Sequence, residues 1–108
     1  MTPTGDAGDS GKILVRVDSD IQDIIPGFLG HRRDDIESIL RALEHDDYET
    51  VRFLGHSMKG AGGGYGFDGI TELGQSMELA AMGQNAQEVR KLVSELATYF
   101  ESVEVVYE

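Results

Sequence analysis

Apolar residues recur at helical spacing along most of the chain. Phe28, Leu29, Ile36, Ile39, Leu40 and Leu43 follow the i, i+3, i+4, i+7 rule, which predicts a helix over about 26–44 with Pro26 in its first turn. Pro26 also interrupts a shorter helix, opened by the capping-box pair Ser19 and Gln22 and running through about Ile25. His45-Asp46-Asp47 is the next break, with Asp46 as N-cap and Glu49 at the third helical position of the helix that follows. Asp68 can cap a third helix carrying Ile70, Leu73, Met77, Ala80 and Ala81. Met82-Gly83-Gln84 ends it, and Asn85 with Glu88 opens a fourth. That last helix sets Val89, Leu92, Val93, Leu96, Phe100 and Val103 on one stripe.

Outside the helices, 12–18 and 103–107 are β-branched and read as short extended segments. The favoured reading of 12–18 is an apolar strip packed on the helices. Whether the two segments pair stays open, because two short strands alone are marginal. Residues 1–11 read as a disordered tail, leaving 12–108 as one domain. The expected fold is all-α: an antiparallel up-down-up-down four-helix bundle, since short loops turn each helix back on the last. A short extra N-terminal helix precedes it.

Composition narrows the function more than the fold. With 108 residues there is room for one modest core, and the absence of cysteine excludes disulfides, thiolate metal sites and cysteine nucleophiles. The formal charge of −11 argues against nucleic acid and anionic membrane surfaces as partners. Residues 1–11 do not resemble a signal peptide and no apolar run approaches a bilayer span. The expected location is cytoplasmic.

The run from Leu54 to Phe67 contradicts its own surroundings. It continues a helical pattern, yet Gly stands at positions 60, 62, 63, 64 and 66, each costing a helix roughly 1 kcal/mol relative to Ala. On a wheel at about 100° per residue, Val51, Leu54, Met58, Ala61, Gly62 and Tyr65 share the apolar stripe. His56 falls about 160° from Met58, with Arg52, Lys59, Gly60 and Gly63 around it and the apolar Phe53 also facing outward. An exposed imidazole between cations suits a group that must receive or hold an anion. Glycines beside it let another molecule's surface come close. Imidazole is a competent nucleophile, and phosphoryl is the anionic group it commonly carries.

His56-Ser57-Met58-Lys59-Gly60, followed by Gly63 and Gly66, resembles the H-x-x-K-G-x-x-G-x-x-G signature of histidine phosphotransfer (HPt) domains. The likeness covers about 18–100, extends through 67–79 (FDGITELGQSMEL), and also touches the HPt-like first domain of chemotaxis histidine kinases. The resemblance implies that His56 is phosphorylated on Nε2. It implies that Lys59 orients and partly neutralises the phosphoryl group, and that Gly60 and Gly63 leave clearance for a docked partner. Glu78 takes the place of the acid or amide that holds the other imidazole nitrogen in related domains. Arg52 contacts either phosphate or the partner's acidic pocket, and docking uses Phe53 and Ser57.

The implied role is a phosphorelay carrier rather than a kinase. Around Lys59 the order of a nucleotide loop is wrong, because the lysine precedes its glycine; Gly64 to Gly69 fits G-x-G-x-x-G but follows no strand. The expected partners are receiver domains of response regulators and hybrid histidine kinases, which bring the Mg²⁺, so the chain itself needs no cofactor and is expected as a monomer. Two rivals are a metal site from His31, His45 and His56, whose spacing matches no ligand motif, and a non-catalytic helical partner-binding module. Partner identity and the direction of phosphate flow are not legible.

Overall fold

The computed structural model describes residues 12–108; the tail expected over 1–11 lies outside them. Four α-helices carry the chain: α1 Ile25–Glu44, α2 Tyr48–Gly62, α3 Asp68–Met82 and α4 Ala86–Ser102. The periodicity located all four, but the caps are partly elsewhere. Asp47, not Asp46, caps α2, its carboxylate accepting from the Thr50 N–H at 3.1 Å and from the Thr50 hydroxyl at 2.6 Å. Asp46 instead takes φ 54 in the preceding loop, a left-handed conformation that Asp tolerates better than most residues. Asp68 is the first residue of α3 rather than its cap, which is Phe67 with no side-chain bond; its charge there suits the positive end of the helix dipole. Asn85 caps α4 by accepting from the Glu88 N–H at 3.1 Å.

The N-terminal helical segment, Ser19–Ile24, is a 3-10 helix capped by Asp18 rather than Ser19. It runs directly into α1, so Pro26 sits in the first turn of that helix, where its missing N–H has no helical acceptor to lose.

Core positions follow the apolar stripes. Ile39, Val51, Met58, Phe67, Ile70, Met77, Val89 and Leu96 are wholly buried, each contributing about 1.5–3 kcal/mol by leaving water. Leu40, placed on the α1 stripe by spacing, is 40% exposed because Ile39 and Leu43 occupy the inner face. An aromatic edge of the same core pins the glycine-rich end of α2. Phe28 of α1 packs on Tyr65 at 4.7 Å and on Phe67 at 5.6 Å between ring centroids, contacts worth about 1 kcal/mol each beyond area burial.

The two β-branched segments pair. Strand β1 (Ile13–Val17) lies parallel to β2 (Val103–Tyr107), in register from Ile13↔Val103 to Val17↔Tyr107. A parallel pair needs a long crossover, and here the four helices form it. Val15 and Val17 also bury their side chains in the core, so the strip reading of 12–18 holds together with pairing. Beyond the strands, the Glu108 N–H donates to Val17 O at 2.9 Å and the Ser19 N–H to Glu108 O at 3.2 Å.

Among the described residues, one charged side chain is buried. Asp35 is buried on α1, and its Oδ2 faces Arg32 Nε at 3.0 Å without hydrogen-bond alignment. Burial pushes the Asp35 carboxyl above its ordinary range, and the Arg32 charge pulls it back only in part. Removing one partner strands the other. Arg32→Met is therefore expected to lower unfolding free energy by about 3 kcal/mol, while Arg32→Met with Asp35→Leu returns near wild type. Urea melts of the three proteins check this; equal midpoints for wild type and Arg32→Met would mean that the pair is solvated.

Candidate functional site

The site depends on how closely α2 and α3 approach. A Cβ on Gly55 would lie 2.8 Å from Glu78 N and 2.9 Å from Gly74 O. On Gly74 it would lie 2.6 Å from Lys59 N, and on Gly62 it would lie 2.7 Å from Phe67 O and Thr71 N. Real Cβ atoms essentially never come within 3.0 Å of such atoms, so these three glycines let backbone rest on backbone. Because Gly55 backs onto the amide of Glu78, the Glu78 side chain emerges beside the next residue of α2. That residue is His56.

His56 Nδ1 lies 3.1 Å from Glu78 Oε2, and Lys59 Nζ lies 3.3 Å from Glu78 Oε1. One carboxylate thus holds both an imidazole and an ammonium. The His56 side chain is 64% exposed while that of Glu78 is only 15% exposed, so the acid lies beneath and the ring stands out. An ionised carboxylate can only accept, which assigns the proton to Nδ1 and leaves the lone pair on Nε2. Burial works to push the Glu78 carboxyl up, but hydrogen bonds from Lys59 and His56 and the charge of both outweigh it. The carboxyl ends below its ordinary range, ionised at neutral pH.

The other sequence-predicted residues surround this triad without joining it. Arg52 is turned to Glu49, at 2.6 Å, which holds the guanidinium charged and the Glu49 carboxyl below its ordinary range. Phe53 is 64% exposed and Ser57 is half-buried. A Cβ on Gly60 would meet nothing within 4 Å, and one on Gly63 would only touch Thr71 Oγ1 at 3.4 Å. Neither glycine is required by the packing of this chain. Gly66 is different: its φ of 92 closes the turn after the 3-10 helix Gly63–Tyr65, a conformation that strains any other residue.

Several contributors were not read from sequence. Neither Gly55 nor Gly74 stands in the glycine run, although Gly55 and Gly62, seven residues apart, share a helix face. Thr71 donates its hydroxyl to Lys59 O at 3.1 Å, a bond no periodicity announces. Leu79 and Met82, one and four residues beyond Glu78, are exposed at 60% and 63% and add apolar surface to α3.

Among the described residues, no three His, Cys, Asp or Glu side chains gather as a group that could hold a metal ion. His31 and His45 therefore do not come together with His56; His45 Nδ1 instead lies 3.0 Å from Arg41 O of its own helix. No described helix is long and apolar enough to cross a membrane. The Gly64 to Gly69 run begins inside the 3-10 turn after α2 and ends in α3, with no strand directly before it, so it lacks the setting of a dinucleotide loop. Against known proteins, a family model described as Hpt domain matches residues 23–104. No curated protein and no solved structure matches the chain.

Proposed function

The chain belongs to the Hpt domain family, whose members carry out histidine phosphotransfer in phosphorelay signalling, and we propose that His56 is its phosphoryl-carrying residue. The observation that supports this most is the shared carboxylate: Glu78 takes Nδ1 of an exposed imidazole and the Lys59 ammonium together. In the proposed reaction the Nε2 lone pair attacks the phosphorus of an aspartyl phosphate on a receiver domain. The N–P bond forms as the P–O bond to aspartate breaks, and the carboxylate leaves with its electron pair. Nδ1–H stays bonded to Glu78, which stabilises the positive ring. Lys59, beside the ring on the next turn, neutralises the phosphoryl oxygens. Passing the group to a second receiver is the same step reversed.

The receiver supplies Mg²⁺, and this chain needs no cofactor of its own; it acts as a carrier with its partner, not as a kinase. Phe53, Ser57, Gly60 and Gly63 form the docking surface, with Leu79 and Met82 extending its apolar part. Arg52, already charge-paired with Glu49, is assigned to the partner's acidic rim rather than to phosphate. The domain spans 12–108, monomeric and cytoplasmic, with receivers of response regulators or hybrid kinases as partners rather than nucleic acid or membrane. An antiparallel up-down-up-down order is supported by the short connections 45–47 and 83–85. The α2–α3 contacts support it too, running 55 with 78, 59 with 74 and 62 with 71.

The test is incubation with a phosphorylated receiver and Mg²⁺, scored for acid-labile, alkali-stable label on this chain. Uptake is expected. No uptake from any receiver of the source organism would leave a non-catalytic partner-binding module. A second expectation concerns Gly60, whose Cβ position is open. Gly60→Ala should gain about 1 kcal/mol of helix stability yet transfer about tenfold more slowly, because a methyl then stands where the receiver must close. A more stable protein with unchanged transfer would remove Gly60 from the docking surface.

A further inference from the structure

Lys59 is gripped at both ends by the same helix. Its ammonium lies 3.3 Å from Glu78, and its backbone carbonyl accepts from the hydroxyl of Thr71 at 3.1 Å. Thr71 and Glu78 are seven residues apart on α3, two turns along the face that meets α2. A helical threonine can satisfy its hydroxyl on its own preceding turn; this one reaches across to the neighbouring helix.

The place it reaches is where α2 is intrinsically weakest. Gly60 and Gly62 lie in the last turn of α2 and loosen it, and Gly63 and Gly64 follow at once in the 3-10 turn. Gly62 is also what makes the bond possible, because a Cβ there would sit 2.7 Å from Thr71 Oγ1. Glycines that suit the docking surface would let the Lys59 turn fray, and the Thr71 bond opposes that fraying.

We propose that Thr71 is a positioning residue for Lys59: its hydroxyl clamps the Lys59 carbonyl so that the ammonium stays beside His56. The proposal rests on the reading that Lys59 assists phosphotransfer at His56. Thr71 itself touches neither ring nor phosphoryl group.

The test is a double-mutant cycle in single-turnover transfer, using a phosphorylated receiver from which the wild-type chain takes up label. Thr71→Val keeps the branched shape and deletes the donor, and should slow transfer about tenfold. Thr71→Ser should recover to within about twofold. Lys59→Ala should slow transfer more, and adding Thr71→Val to it should cost nothing further. Amide exchange at residues 60–63 should quicken in Thr71→Val while that of α4 does not. In the wild-type protein the Thr71 hydroxyl proton should exchange slowly enough for NMR detection, a readout that needs no variant. Transfer by Thr71→Val at the wild-type rate, losses that multiply in the double variant, or a freely exchanging hydroxyl would each overturn the clamp. Wild-type rates for Lys59→Ala would remove Lys59 from the proposed reaction and this inference with it. No labelling of wild type by any receiver would remove the phosphotransfer reading first.

Discussion

His56→Gln is expected to take up no acid-labile label from a phosphorylated receiver that labels the wild-type chain. The substitution keeps a polar side chain of similar reach but removes the nucleophilic nitrogen, for which an amide is no substitute. Loss should be complete rather than partial, because the other two histidines lack the arrangement around His56. His45 turns Nδ1 to the carbonyl of Arg41, and Glu78 holds only His56 and Lys59. Folding should be unaffected: the His56 side chain is 64% exposed, and surface changes of this kind stay within about 0.5 kcal/mol. Label persisting on His56→Gln would move the phosphoryl group to another residue. Loss of label together with loss of the cooperative melt would mean that the imidazole is structural.

The helices were legible because their stripes are long and regular, and periodicity reports burial directly. Cap positions were off by a residue at α2 and α3, since Asp46 and Asp47 are chemically alike and only backbone geometry separates the left-handed residue from the N-cap. Pairing of β1 with β2 left no local trace, because the two strands are separated in sequence by all four helices. At the site, the exposure of His56 followed from the wheel alone. Glu78 did not; it was placed by resemblance, and geometry then gave it a second partner in Lys59. Thr71 could not be found either way, because its role depends on the absence of a side chain at Gly62 on another helix. Arg52 shows the opposite failure. The wheel put it beside His56, but Glu49, three residues before it, takes the guanidinium.

Gly74→Ala is expected to be among the most damaging single-methyl changes available, about 3 kcal/mol less stable than wild type in urea. Helix propensity points the other way, favouring Ala by about 1 kcal/mol, so the sign of the result decides which effect rules. Packing should win, because the added carbon would lie 2.6 Å from Lys59 N and 2.7 Å from Gly55 O. Both are backbone atoms, which cannot rotate away as a flexible side chain would. Relief requires α2 and α3 to separate, and that motion carries Glu78 away from the ring and ammonium it holds at 3.1 and 3.3 Å. Gly74→Ala should therefore slow phosphotransfer even under conditions where it remains folded, and Gly55→Ala should do the same from the facing helix. The contrast with Gly60→Ala isolates the cause. The same methyl, added one turn along α2 from His56 where nothing lies within 4 Å, should stabilise the fold. If Gly74→Ala melts like wild type, the backbones are not in contact, and the Glu78 triad loses the packing that sets it.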